Sequence, residues 1–282
     1  MSWIYPKVLV LRILVTSEQD LASQTIKAAL IEEYDFIETE HTFDGHPVLA
    51  HGDSIWLVTS SRDLIYSNHL EKELEAEAFI FCSRHRSKSG RPSLLVHSTG
   101  NLGDEAAFGG RPASLSVSVA SLVSVALKTL FRERNERDLT DFDVSLEVTH
   151  HGPTELDTPM LFVELGSDED YWTHEEGASV VAKAAMNCAT TSISGEAVIG
   201  FGGTHYASKF NKLVLYDEYN IGHMAPKYAL DGITPSVVDQ MIQRSAERVR
   251  AAVVDWKGTN ADQRDTFMPM LEQQGIEVIR EG

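Results

Sequence analysis

Apolar runs that suit buried strands alternate with amphipathic stretches that suit helices along most of the chain. Residues 7–16 are almost continuously apolar, which indicates a buried strand, and residues 18–34 have helical spacing behind a possible cap at Ser17. The turn signal Asp44-Gly45 predicts a hairpin. The other predicted strands cover residues 37–43, 46–51, 55–60, 78–83, 93–98, 142–150, 160–165, 196–201 and 212–216, and one that ends at 276–279. The other predicted helices cover residues 117–134, 174–189 and 236–256, and one lies before the last strand.

Strands that alternate with helices predict an α/β fold with helices on the faces of the sheet. No stretch rich in proline, glycine and serine, and no long charged run, interrupts the pattern. We therefore expect a single compact α/β unit, or two closely packed lobes at about residues 1–100 and 101–282.

Composition excludes several classes of protein. The 282 residues carry a formal net charge of −18, which excludes a generic basic nucleic-acid coat, and their 43% hydrophobic content excludes global disorder. No window reaches the ~18 apolar residues of a membrane span, and the first residues lack the features of a signal peptide. We expect a cytoplasmic protein with no membrane partner. The negative net charge has two explanations that stay open: the protein is adapted to high internal salt, or it is an ordinary acidic cytosolic protein.

The two cysteines are too few and too far apart for a disulfide framework or a cysteine-rich zinc site. Cys82 and Cys188 each lie inside an apolar stretch. Both are predicted to be buried thiols.

Histidines follow predicted strands, at the edge of the sheet where α/β proteins bind their ligands. They are His85, His97, His150, His151, His205 and His223. Neutral imidazoles with a carboxylate are ligands that zinc prefers, and catalytic zinc activates water, so the set favours a hydrolase. The spacing matches none of the short zinc motifs. Metal-free catalysis by one histidine, oriented by Asn101 or a carboxylate, therefore stays open.

The alternation of side chains along a strand predicts which of these groups share a face of the sheet. Neighbouring side chains point to opposite faces, so His150 and His151 are not expected to face one site together, and Glu147 shares a face with His151. Glu164 and Arg12 each interrupt an apolar strand. A charge there must be paired or functional, and both an Arg12–Glu164 ion pair and a ligand role for Glu164 stay open.

Basic residues lie in or beside the histidine segments of this acidic chain: Arg84, Arg86, Lys88, Arg91, Lys209, Lys212 and Lys227. Residues 84–91 are predicted to form an exposed loop. This concentration of charge suits a substrate that carries phosphates, and scattered solvated charge is the alternative. The segment FGGRP, residues 108–112, offers backbone N–H groups and Arg111 to an anion, or forms a plain glycine turn.

Five motifs resemble, in this order, the archaeal type of D-aminoacyl-tRNA deacylase, a zinc-dependent family also found in plants: SRHRSKSG, HSTGN, VTHHGPT, GFGGTHYASKF and GHMAPKY. The resemblance implies hydrolysis of the ester between a D-amino acid and the tRNA 3′ end. It also implies a three-layer α/β sandwich with a mixed, largely parallel sheet, similar to phosphorylases and peptidyl-tRNA hydrolases. Ser208 and Lys209 stand where the family pattern has proline and arginine, which keeps the charge but loses bidentate binding.

Motif position and the resemblance together suggest roles for the candidate residues. The predicted catalytic groups are His151, His97 and Glu147. The predicted ligands of zinc, one ion or two per chain, are His150, His151, His205, His223 and Glu164. The predicted substrate-binding residues are His85, Arg84, Arg86, Asn101, Arg111, Lys209 and Lys227.

The implied partner is the 3′ acceptor end of D-aminoacyl-tRNA, which we expect to enter a small basic mouth on a monomer. Two alternatives remain at this stage. One is a zinc-dependent carboxypeptidase or amidohydrolase on the same type of fold. The other is a tRNA-binding protein without chemistry.

Overall fold

The structure, a computed structural model, describes residues 11–217 and 219–282. Its strands are β1 (Arg12–Ser17), β2 (Ile37–Phe43), β3 (His46–His51), β4 (Ile55–Ser60), β5 (Ala78–Arg86), β6 (Ser93–His97), β7 (Gly100–Asn101), β8 (Ser114–Leu115), β9 (Asp143–Leu146), β10 (Met160–Ser167), β11 (Glu196–Phe201), β12 (Ile221–Ala225), β13 (Arg248–Asp255) and β14 (Glu277–Glu281). Its α-helices are α1 (Leu21–Glu33), α2 (Ala120–Glu136), α3 (Glu169–Trp172), α4 (Glu175–Thr190), α5 (Ser208–Tyr216), α6 (Pro235–Gln243) and α7 (Ala261–Gln273). Residues 7–10 of the first predicted strand lie outside the described residues.

Eight strands form the larger sheet, in the order β2-β3-β4-β1-β5-β10-β6-β9. Strand β1 runs parallel to β4 and β5, β10 runs parallel to β5, and β6 runs antiparallel to β10. The middle strands are apolar at consecutive positions because both faces of the sheet are covered. Helices α1, α2 and α4 bury one face, and residues 64–74 with Leu156 cover the other. This arrangement confirms the predicted three-layer α/β fold with a mixed sheet.

A second, all-parallel sheet has the strand order β12-β11-β13-β14. Helices α6 and α7 bury one of its faces in a separate apolar core. Val198, Met224 and Val253 on the other face join the core that surrounds α2. Because α2 also contacts β6, this helix holds the second sheet beside the larger one.

Two elements predicted in the second half are wrong. Residues 212–216 belong to helix α5, where Phe210, Leu213 and Val214 form one buried helical face. Residues 236–256 form α6 and then β13, which pairs with β11 and β14. Strand β12 was not predicted, since it is short and contains Gly222 and His223. In each case, strand pairing or packing on a distant segment decided the structure of a short apolar run.

The basic segment 84–91 is only partly a loop. Strand β5 continues through Arg86 in register with the end of β10, so His85 belongs to the sheet and is buried. Helix α1 likewise begins later than predicted, because Asp20, rather than Ser17, accepts the Ser23 N–H as its cap.

Two further observations concern membrane-spanning helices and the thiols. Within residues 11–217 and 219–282, no helix is long and apolar enough to cross a membrane. Cys82 and Cys188 are unbonded and fully buried, as predicted.

Candidate active site

Four segments of the larger sheet bring a cluster of histidines and carboxylates together. His85 lies on β5, Glu164 on β10 and His97 at the end of β6, and these strands are neighbours. Strand β9 ends at Leu146, and the chain continues beside β6 through residues 147–151. The cluster is therefore made by the order of the strands, which places residues far apart in sequence at one edge.

The two glutamates form the acidic half of this cluster. Glu164 accepts a hydrogen bond from Ser83 at 2.7 Å, and Oε1 of Glu147 lies 2.9 Å from Nε2 of His205. Nδ1 of His85 lies 3.5 Å from both carboxylates. Burial alone would raise the pKa of each glutamate, but contact with the histidines holds both pKa values well below normal. Both glutamates therefore remain charged although they are almost fully buried.

The same contacts raise the pKa values of two histidines. Burial would lower the pKa values of His85 and His97, but the carboxylates raise both. Glu147 and then Glu164 act on His85, whereas Glu164 and then Glu147 act on His97. The Nε2 atom of His85 also lies 3.1 Å from the Tyr206 hydroxyl group. His85 was predicted to bind substrate; it lies between the two buried carboxylates and also lines the cavity described below.

Three imidazoles form the other half, and their ring centroids lie 4.3 to 4.8 Å apart. Each Nδ1 faces a backbone carbonyl: His97 that of Ser98 at 3.2 Å, His150 that of Val148 at 2.8 Å and His151 that of Gly152 at 2.6 Å. A carbonyl only accepts, so each Nδ1 carries a proton, and the Nε2 atom of a neutral ring is left with a lone pair. This is the arrangement by which proteins orient histidine ligands of a metal.

Burial and the neighbouring histidines lower the pKa of His150 well below normal and that of His151 to about 4. Both rings are therefore neutral near pH 7. His150 and His151 were predicted to face opposite ways, and that prediction is wrong. The regular strand has ended by Leu146, and His151 has a φ of 44°, which turns its ring back toward His150.

Two buried atoms of the cluster have no hydrogen-bond partner: Nε2 of His97 and Oε2 of Glu147. Buried polar atoms normally have a partner, so these two atoms could serve as ligands of an ion. Three groups have ligand atoms within 4.8 Å of one another: His97, His150 and His151; Glu147, His150 and His205; and His85, Glu147 and Glu164. The first and third groups share no residue.

His223 lies outside these groups, contrary to the ligand prediction. Its Nε2 lies 3.1 Å from the carbonyl oxygens of Ser116 and Arg244, and its Nδ1 lies 3.2 Å from the Thr149 hydroxyl group. Both ring nitrogens are therefore occupied by structural contacts. Arg12 pairs with Glu77 at 2.7 Å, so the Arg12–Glu164 ion pair is also wrong.

A cavity of about 1140 Å³ opens onto this cluster. His150, His151, His205 and Glu164 lie on its wall, whereas His97 and Glu147 are buried behind that wall. The cavity thus reaches the cluster through side chains that can touch a substrate.

The predicted basic residues reach this cavity only in part. Those on its wall are Arg84, Arg86 and Lys88, whereas Arg111 pairs with Glu155, Lys209 pairs with Asp255, and Lys227 is absent from the wall. The acidic residues on the wall are Asp20, Asp63, Asp104, Glu105, Glu164 and Asp168. The predicted basic mouth is therefore wrong: acidic side chains outnumber basic ones.

The FGGRP segment is a packed turn. The amide of Asn101 donates to the carbonyl oxygens of Gly109 and Arg111, and the Arg111 N–H donates to Thr154. A Cβ on Gly109 would clash with the carbonyl oxygen of Ile65. Close backbone contact thus explains the glycine, and Asn101, although on the cavity wall, fixes this turn.

Known proteins place the chain in a family. A family model for D-aminoacyl-tRNA deacylase matches residues 72–279. The D-aminoacyl-tRNA deacylase of Thermococcus onnurineus is 35% identical over 279 residues, covering 96% of this chain and 100% of that protein. The chain belongs to the D-aminoacyl-tRNA deacylase family.

Other members agree with this family assignment over nearly the full length. The deacylase of Methanocaldococcus jannaschii is 34% identical, covering 94% of this chain and 97% of that protein. A crystal structure of a conserved protein of unknown function has a TM-score of 0.87 at 32% identity, covering 96% and 95% of the two chains. The deacylase family thus shares both the sequence and the fold of this chain.

The sequence did not single out Ser83, Tyr206 or Tyr228 as site residues. Ser83 donates to Glu164, and the Tyr206 hydroxyl group contacts His85. The Tyr228 hydroxyl group lies 3.2 Å from Nδ1 of His205. Their position inside three of the five deacylase motifs was the available signal, because each stands next to a residue that was chosen.

Proposed function

We propose that this chain hydrolyses the ester bond of D-aminoacyl-tRNA at the cavity that ends on His151 and Glu164, releasing a D-amino acid and free tRNA. One observation carries the proposal: three imidazoles with fixed Nδ1 atoms stand together at a cavity of about 1140 Å³. Ligand pockets commonly measure about 300–1000 Å³, so the cavity has room for an aminoacylated nucleotide. The deacylase names of the relatives support this substrate.

The donor set fits zinc. His97, His150 and His151 would hold one ion through Nε2, and the separate group of His85, Glu147 and Glu164 could hold a second. The unpartnered Nε2 of His97 and Oε2 of Glu147 support this fit. When bound, zinc would supply Lewis-acid activation of the ester carbonyl and of water.

The chain's own residues move the protons in this proposal. Glu164 is charged, lies on the cavity wall and is 4.0 Å from Nε2 of His151, so it takes the proton from the attacking water. The ribose oxygen that leaves must gain a proton. Glu164 returns to it the proton taken from water. His205 is on the same wall; Glu147 accepts from its Nε2, which leaves Nδ1 to accept from the Tyr228 hydroxyl group.

The three predicted catalytic residues have different roles in the proposed reaction. His151 touches the substrate space, whereas His97 and Glu147 act from behind the wall by holding their neighbours. We further propose that the enzyme is a cytoplasmic monomer that admits only the 3′ acceptor end of the tRNA.

Hydrolysis of D-tyrosyl-tRNA, with L-tyrosyl-tRNA as the comparison, tests the proposal. We expect release of D-tyrosine that stops after dialysis against a chelator and returns with zinc. Binding of tRNA without release of the amino acid would favour the non-catalytic alternative. Cleavage of an N-acylated amino acid instead of the ester would favour the amidohydrolase. Activity that survives removal of all metal would refute the role of zinc.

A further inference from the structure

Two large aromatic side chains on the cavity wall face solvent. Phe108 is 70% exposed and Tyr228 is 64% exposed, and both line the cavity that leads to the histidine cluster. Scattered exposed aromatics need no explanation, but two on the wall of one cavity do.

Phe108 is exposed although its backbone is held in place. Its carbonyl oxygen accepts the N–H of Gly152, the residue after His151. The next residue, Gly109, packs against Ile65 and is bound by Asn101. The backbone that carries the ring is therefore held beside the residue that follows His151, next to the cluster.

Tyr228 contacts the cluster directly, from a segment far from Phe108 in the sequence. It lies in the short 3-10 helix Lys227–Gly232, which follows strand β12 of the second sheet. Its hydroxyl group contacts His205. That contact fixes the ring and leaves its faces accessible.

The charges around the mouth do not explain how a nucleic acid would be held there, since acidic residues outnumber basic ones on the wall. Stacking on an aromatic ring needs no positive charge, and each stacked base contributes about 1–3 kcal/mol. Arg86 and Lys88 on the same wall form no ion pair within the part of the chain that the structure describes, so they remain available for a backbone phosphate.

We infer that Phe108 and Tyr228 form the subsite for the terminal base of the tRNA, which stacks on their rings and places the aminoacyl ester over the cluster. The inference rests on the proposed function. In an aminoacylated tRNA, the base and the ester share one ribose, so the base must bind within a single nucleotide of the reacting group. Both rings meet this condition, because one is bonded to His205 and the other is anchored next to His151.

Uncharged tRNA with 2-aminopurine at its 3′ end tests the subsite without any chemistry. Stacking quenches this base, so we expect fluorescence to fall on binding, and to fall much less with Phe108→Leu or Tyr228→Leu. In the deacylation assay, Phe108→Leu should raise KM about tenfold and leave kcat nearly unchanged. Tyr228→Phe keeps the ring and should retain the quenching.

Tyr216→Leu is the matched control, because Tyr216 is 68% exposed but lies away from the cavity wall. Thermal melts of every variant exclude misfolding as the cause. Unchanged quenching and KM in Phe108→Leu would overturn the inference, as would tRNA binding without quenching in the wild type. If the wild type does not hydrolyse the ester but its quenching depends on Phe108, the subsite stands and the proposed function fails.

Discussion

Glu247 is predicted to stabilise the whole chain by capping a helix that begins far away in sequence. Helix α2 has Val119 at its N-cap position, and that side chain cannot accept a hydrogen bond. The carboxylate of Glu247 takes this place, because it accepts the N–H of Ala120 at 3.0 Å and that of Ser121 at 2.8 Å. Glu247 is only 6% exposed, so water cannot replace it.

The size of the effect follows from these contacts. A hydrogen bond to a charged group contributes about 1.5–3 kcal/mol. Glu247→Ala loses two such bonds from backbone N–H groups and a third from the Ser121 hydroxyl group, so it should cost at least about 3–6 kcal/mol. A carboxylate at a helix N-terminus also interacts favourably with the helix dipole. Glu247→Gln keeps one acceptor oxygen and should cost roughly half as much. Each kcal/mol lowers the Tm of a chain of this size by about 2–4 °C, so a cost of about 3–6 kcal/mol should lower the Tm of the alanine variant by about 6–24 °C.

Urea unfolding and thermal melts measure this prediction. Glu277→Ala is the control, since Glu277 is exposed on β14 and should change stability by no more than about 0.5 kcal/mol. A free energy of unfolding for Glu247→Ala within about 1 kcal/mol of wild type would refute the capping argument.

Three further predictions separate chemical from structural roles. His150→Ala should lose bound zinc and activity, whereas His223→Ala should keep zinc and melt at a lower temperature; equal metal loss in both would contradict the assignment. Glu147→Gln should lower kcat about 10–100-fold, and unchanged turnover would remove its orienting role. Burial alone would raise the pKa of Asp44, but hydrogen bonds led by that from His69 lower it below the unfolded value of 3.8. Its stabilising contribution is therefore present above that pH and lost below it, so Asp44→Asn should flatten the loss of stability in acid unfolding, and an identical acid profile would exclude the role.

Local sequence was enough for the strands of the larger sheet and the helices that cover it. The apolar runs of β1, β5 and β10 are buried on both faces, and such runs have few other solutions in a folded chain. It also located most of the candidate site, because the end of a strand in an α/β sheet is where ligands bind, and the histidines stand there.

Short segments with ambiguous patterns were decided by what they pack against. Residues 212–216 have the apolar content of a strand, yet they form part of a helix because Phe210, Leu213 and Val214 fit one buried face. Residues 248–255 continue a helical pattern, yet they form β13 because β11 and β14 offer backbone partners on both sides.

The sequence also could not predict which groups each charged or titratable side chain contacts. Strand alternation separated His150 from His151, but a backbone reversal at His151 brings both rings together. Glu164 needed a partner, and the neighbouring strands supplied histidines rather than Arg12. The sequence by itself determined which residue types stand at the edges of the sheet. Tertiary structure decided which of them meet, because contacts within a few ångströms depend on strand order and on the path of the chain after each strand ends.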